Sequence, residues 1–180
     1  MIRVAILDRH PAIHAGIEAA LRAQADFTAV GSAADPRDLL TLLYRTDPDI
    51  LVLDDLTHVR RVKVEWPRTR VVLYATQPRA ELLLAAAIAG VDGVVDKSAP
   101  TLELLGALRA AAVGEPAIPD VGPRQRARAA SRLDPRDRPI FAMRLAGTSV
   151  HDIATTVGLG LAALNARIHA IAAQLAPATA

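Results

Sequence analysis

The chain has no cysteine among its 180 residues. Disulfides and thiolate metal sites are excluded, and nothing points to an oxidising compartment. Aromatic residues supply 3% of a chain that is 52% hydrophobic, so its core must be built from Ala, Val, Leu and Ile. The longest apolar stretch, around Leu82 to Val91, is too short to span a bilayer. The opening Met-Ile-Arg-Val-Ala-Ile-Leu-Asp lacks the apolar length and small-residue cleavage site of a signal peptide, and reads as a strand. A cytoplasmic protein with no membrane partner is expected. Also missing are a GxGxxG turn, a Walker loop and a nucleophile elbow. Without a cofactor loop or a nucleophile–base pair, no enzyme activity and no required cofactor are expected.

Charge is scarce overall and unevenly spread. The net charge is +2, but residues 1–120 hold 13 Lys and Arg against 16 Asp and Glu, a balance of −3. Residues 121–180 hold 8 Arg against 3 Asp, a balance of +5. An acidic part joined to a basic part suggests two units, the second facing a polyanion.

What is present is an alternation of strands and helices. Short apolar runs at Ile2–Asp8, Asp49–Asp54, Val71–Ala75 and Gly93–Lys97 are of the kind buried on both faces of a parallel sheet, and Phe27–Gly31 reads as a further strand. Helical spacing follows Pro11 (Ile13, Ile17, Leu21) and Asp35-Pro36 (Leu39, Leu42, Leu43), with Asp35 as an N-cap. Pro78 opens an alanine-rich helix that Gly90 ends, and a last helix covers about Thr101 to Val113. Five βα units with right-handed crossovers predict an α/β fold, a doubly wound parallel sheet. Ligands bind such sheets beyond the carboxyl ends of the strands, so Asp8, Asp54 and Lys97 should gather in one crevice. The plainer reading is that Asp8 and Asp54 cap neighbouring helices.

Gly114 to Arg132, with three prolines and four arginines, reads as a linker. Beyond it, Pro135–Ala146, Val150–Val157 and Leu161–Leu175 read as three helices separated by glycine turns, the skeleton of a helix-turn-helix. Their core is expected from Leu133, Ile140, Phe141, Met143, Ile153, Ala154, Val157, Leu164, Ile168 and Ile171. Pro139 either falls in a first turn or bends the first of these helices. The tail Pro177-Ala178-Thr179-Ala180 is expected to fray.

The order and spacing of IRVAILDRHP (Ile2–Pro11), PDILVLD (Pro48–Asp54), AGVDGVVDK (Ala89–Lys97) and LDPRDRPIFAMRLAG (Leu133–Gly147) resemble response regulators of the NarL/FixJ class. The resemblance implies a (βα)5 flavodoxin-like receiver domain over residues 1–115, a linker over 116–132, and a small all-α LuxR-type helix-turn-helix over 133–176. Asp54 then matches the phosphoacceptor, Lys97 the lysine that binds the phosphoryl oxygen, and Asp8 the first of two acidic residues that hold Mg²⁺ with Asp54. The second acidic position is Arg9. Ala75 stands where a switch hydroxyl is needed, Val94 where an aromatic is common, and the loop after Asp54 is several residues short.

Octahedral Mg²⁺ wants several hard oxygens, and Arg9 removes one while adding a repelling charge. Its guanidinium is suited to pair with Asp8, Asp54 or Asp55. Asp55 is the one substitute carboxylate on offer. These departures predict a receiver that does not use ordinary aspartyl phosphorylation. His10 and His14 share a helix face but lack a third ligand, so no metal site is expected from them. Arg60, Arg61 and Lys63 read as a solvated face.

In the C-terminal unit the resemblance makes about Leu161 to Gln174 the recognition helix, with Asn165, Arg167 and His169 reading bases. Thr148, His151, Arg136 and Arg138 would contact phosphates, with Arg124, Arg126, Arg128 and Arg132 adding charge. The function implied is a transcriptional regulator that binds double-stranded DNA as a homodimer, with a partner kinase or second regulator as further partners. The alternatives are a conventional regulator phosphorylated on Asp54, and an adaptor that pairs with another regulator and binds no DNA.

Overall fold

The computed structural model describes residues 1–176; the tail at 177–180, expected to fray, lies outside the described residues. The chain forms two compact units, one from Met1–Gln77 with Val91–Ile118 and one from residues 78–90 with those from Pro119 onward.

Five short strands build the first unit: β1 (Ile2–Leu7), β2 (Phe27–Ala33), β3 (Ile50–Leu53), β4 (Arg70–Ala75) and β5 (Gly93–Asp96). They form one parallel sheet in the order β2-β1-β3-β4-β5. The helices of this unit are α1 (Pro11–Arg22), α2 (Leu39–Thr46), α3 (Val59–Glu65) and α5 (Thr101–Ala112). Val4, Ile6, Ile50, Val52, Val72 and Val95 from the strands pack with Ile17 and Leu21 of α1 and Leu104, Leu105 and Leu108 of α5. Phe27 is the one ring buried in this cluster, as the aromatic-poor composition requires. Strand order reverses between β1 and β3, which is where such sheets open a crevice. The register pairs Leu7 with Leu53 and Leu53 with Leu73, so Asp8 and Asp54 leave the sheet at the same level.

Several expectations are corrected here. Lys63 is not on a solvated face: its ammonium lies 2.5 Å from Asp92, which also pairs with Arg70 at 3.2 Å and accepts from the Val71 amide. Arg61 pairs with Glu65 along α3. The segment read as a linker holds two structured stretches. Ala117 extends the β5 edge, donating to the Asp92 carbonyl at 2.8 Å and accepting from Val94 at 3.0 Å. Pro123–Ser131 is a helix, α6, with its proline in the first turn.

The second unit holds α4 (Ala80–Ala89), α6, α7 (Arg138–Leu145), α8 (Val150–Val157) and α9 (Leu161–Leu175). Although α4 lies between β4 and β5 in sequence, it packs on α9 and α7. Its sequence AELLLAAAIA has no polar face beyond the first turn, and a helix apolar on every side must be buried. Gly90 closes α4 at φ 87°, a left-handed position, and a Cβ there would sit 2.9 Å from the Arg144 guanidinium. That guanidinium is held close because Arg144 Nε donates to the Ile88 carbonyl at 3.3 Å, placing a cation at the negative end of α4. Helix α7 begins at Arg138, three residues later than expected, so Pro139 sits in its first turn and bends nothing.

Of the ten expected core residues of this unit, Met143 and Val157 are only half-buried while the other eight are buried. Ala129 of α6 and Ala172 and Leu175 of α9 are buried as well. Among the described residues, no single helix is long and apolar enough to cross a membrane.

Candidate functional site

Three carboxylates meet the Lys97 ammonium, the Arg9 guanidinium and the His10 ring in the crevice. Asp8, 2% exposed, receives the Lys97 ammonium at 2.5 Å on one oxygen. Its other oxygen accepts the His10 amide at 2.8 Å and faces His10 Nδ1 at 3.0 Å. The His14 ring nitrogen lies 2.6 Å from the Asp8 carbonyl. Burial pushes the Asp8 carboxyl up, but the hydrogen bonds from Lys97 and His10 outweigh it and hold the group below the usual carboxylate range.

Arg9 occupies the other half of the crevice. Its Nε lies 3.2 Å from Asp54 Oδ2, its backbone amide donates to the same oxygen at 3.3 Å, and its terminal nitrogen reaches Asp55 at 3.8 Å. The hydrogen bond to Asp54, then the charges of Asp54 and Asp55, raise the guanidinium above its already high value. Asp55 Oδ1 accepts from the Thr57 amide at 2.8 Å, which turns the loop after β3 into helix α3. Ala75 ends β4 with a buried methyl group and offers only its carbonyl, which accepts from the Lys97 amide at 2.8 Å.

The family resemblance implies Mg²⁺ here, and the residues do not fit it. Asp8, His10 and Asp54 can each bring one ligand atom to within 4.8 Å of the others. That trio mixes two oxygens with a nitrogen, whereas Mg²⁺ demands oxygen in near-octahedral array. Both Asp8 oxygens already serve Lys97 and His10, and Asp54 Oδ2 serves Arg9. His10 joins the aspartates rather than His14, a third ligand that the sequence reading missed. Tyr74 was also missed. Its hydroxyl donates to the Lys97 carbonyl at 3.5 Å, and the Lys97 ammonium lies 5.9 Å from its ring centre. Burial, then the charges of Asp8 and Asp96, push the Tyr74 hydroxyl up. The alternation along β4 carried the signal, since Tyr74 precedes the strand-end Ala75.

In the second unit, α8 and α9 are bent by 103° across a glycine break, within the range of helix-turn-helix pairs. Gly158, at φ 68°, ends α8 in a left-handed turn. Ser149 starts it as an N-cap absent from the sequence reading: its hydroxyl accepts the Asp152 amide at 3.1 Å and donates to the Asp152 carboxylate at 2.6 Å. His151, His169, Arg136 and Arg138 are exposed, and Thr148 and Asn165 are half-buried. Arg138 also donates to the Leu133 carbonyl at 3.3 Å. Arg167 differs from the rest. Its Nε lies 2.8 Å from Asp137 Oδ1, so the guanidinium ties α9 to the start of α7.

Comparison with known proteins agrees with this geometry. No family model matches the chain. The transcriptional regulatory protein YxjL of Bacillus subtilis is 31% identical over 121 residues, covering 63% of this chain and 56% of YxjL. The chain therefore spans little more than half of that relative. The response regulator VraR of Staphylococcus epidermidis is 25% identical over 97% of this chain and 90% of its own length. Among solved structures, RcsB of Salmonella enterica serovar Typhimurium, bound to the promoter rprA in the presence of a phosphomimetic, superposes with a TM-score of 0.59. That match covers 97% of this chain and 92% of RcsB at 19% identity, and it carries the fold alone. The sheet order, the acidic crevice and the bent helix pair define a receiver-plus-helix-turn-helix protein. The relatives that the chain is similar to are response regulators of the NarL/LuxR kind.

Proposed function

We propose that this chain is a DNA-binding transcriptional regulator whose receiver unit works without ordinary aspartyl phosphorylation. The observation that carries the reading is the Arg9 guanidinium seated on Asp54 and Asp55, at the position where the resemblance requires an acidic metal ligand. Phosphoryl transfer to a carboxylate needs that carboxylate free to attack and a divalent ion to neutralise the donor. Arg9 supplies a fixed positive charge in place of an exchangeable ion, and Ala75 has no hydroxyl to follow a phosphoryl group. Activity is then set by the amount of protein, by a partner such as a second regulator, or by a ligand in the altered acidic crevice, and a homodimer would let two recognition helices read adjacent half-sites.

DNA binding itself is supported by the bent helix pair and the +5 balance of residues 121–180. Asn165 and His169 lie on α9 as base-reading candidates, and His151, Thr148, Arg136 and Arg138 as phosphate contacts. Arg167 is withdrawn from base reading by Asp137. That ion pair favours a second reading, an adaptor that keeps the helix-turn-helix shape without engaging DNA. Incubation of the purified protein with a small-molecule phosphodonor and Mg²⁺, followed by mass measurement, tests the first reading: no adduct on Asp54 is expected, and a stoichiometric one overturns it. Salt-sensitive, sequence-selective binding to genomic duplex fragments is expected of the regulator, and its absence with and without the phosphodonor selects the adaptor.

A further inference from the structure

Helix α6 presents arginines at every fourth position: Arg124, Arg128 and, in helical conformation at its C-cap, Arg132. Four-residue spacing puts them on one face, each about 6 Å further along the axis. All three are exposed. Helix α6 contains no acidic residue, and among the described residues no carboxylate near it in sequence pairs with Arg124, Arg128 or Arg132. Asp120 pairs with Arg126, Asp134 accepts the Arg136 amide, and Asp137 holds Arg167. Among the described residues none of the three stripe arginines has an ion-pair partner.

Such a stripe works against the helix that carries it. Like charges four residues apart repel, here twice in succession. The negative end of the helix eases this for Arg128 and Arg132 only. The stripe is also held at a fixed offset from α9, because Gln174 of α9 donates to the Arg132 carbonyl at 2.9 Å. Guanidinium groups match phosphate bidentately and are less strongly hydrated than ammonium groups.

We propose that Arg124, Arg128 and Arg132 form a clamp on the phosphate backbone of duplex DNA beside the stretch that α9 contacts. The clamp rests on the DNA-binding reading. It adds affinity without sequence preference and keeps α9 engaged through phosphate contacts that read no base.

The test uses the full chain carrying Arg124→Gln, Arg128→Gln and Arg132→Gln together, with a pool of genomic duplex fragments between about 50 and 200 mM salt. Each lost phosphate contact lowers the slope of log affinity against log salt by about 0.9, so a fall of roughly 2 to 3 is expected, equal for preferred and unpreferred fragments. The same three positions changed to Lys keep the charge and should keep the slope within about one unit, which separates loss of charge from damage to the helix. The proposal is overturned by an unchanged slope in the Gln variant, as expected if the stripe faces an acidic protein. It is overturned equally by a loss confined to preferred fragments, or by an equal loss in the Lys variant. Failure of the DNA reading looks different: the unmodified chain then binds no fragment at any salt concentration, and both ideas fall.

Discussion

In the crevice of the first unit Asp8, Asp54 and Asp55 meet Lys97, His10 and Arg9 of the same chain, while on α6 of the second unit Arg124, Arg128 and Arg132 meet no carboxylate among the described residues. The charged groups of the two regions are arranged in opposite ways. A crevice whose charges are matched from within gives an incoming cation little to neutralise. A helix face whose charges are unmatched binds whatever external anion fits its spacing. The contrast teaches that charge counts along the sequence do not locate the ligand site. What locates it is whether each charge has already found a partner.

Breaking the crevice at its most buried pair should have the largest effect. Lys97→Met leaves the Asp8 carboxylate, 2% exposed, without its 2.5 Å partner, and removal of one member of a buried pair costs about 3–5 kcal/mol. Chemical denaturation of the variant measures this, and adding Asp8→Asn should recover most of the loss. Acid should act on the same pair. The folded Asp8 carboxyl lies below its unfolded value, so its contribution is complete above the unfolded pKa of about 4 and is lost as pH falls through the lower folded value. Denaturation followed from about pH 6 to pH 3 should show a shallower loss for Asp8→Asn than for the unmodified chain.

Smaller changes sharpen the comparison in the second unit. Ser149→Ala removes the N-cap of α8 and should lower stability by about 1 kcal/mol, read as a shift in the thermal midpoint. The smallest stability effect with the most telling outcome is Arg9→Asp. The lost ion pair is more than half exposed on the arginine side, so solvent screens most of its contribution. Its replacement restores a second acidic ligand beside Asp8 and Asp54. Calorimetry should then detect Mg²⁺ binding that the unmodified chain lacks. If both chains bind Mg²⁺ equally, Arg9 is not what closes the crevice.

The sheet was legible because its strands are short apolar runs ending on Asp8, Asp54, Ala75 and Asp96, and a parallel sheet buried on both faces permits little else. The gathering of Asp8, Asp54 and Lys97 followed from topology alone. Partners set by side-chain reach did not. His10 and Tyr74 needed the backbone path after β1 and along β4 to be known, and Lys63 crosses to Asp92 from 29 residues away. Helix α6 was hidden because arginine and alanine give no apolar periodicity, only Ala129 being buried. The grouping of α4 with α7 and α9 was hidden for the opposite reason, since a helix apolar on every side does not say which neighbour it will choose.

The account's central claim is that the crevice is neutralised from within and needs no phosphate to license DNA binding. The most direct measurement is the affinity of the purified chain for its selected genomic fragment with and without a phosphodonor and Mg²⁺, with Asp54 examined for an adduct in the same samples. The account predicts equal affinities and an unmodified Asp54. An adduct on Asp54 accompanied by a tenfold or greater rise in affinity, about 1.4 kcal/mol, would contradict it.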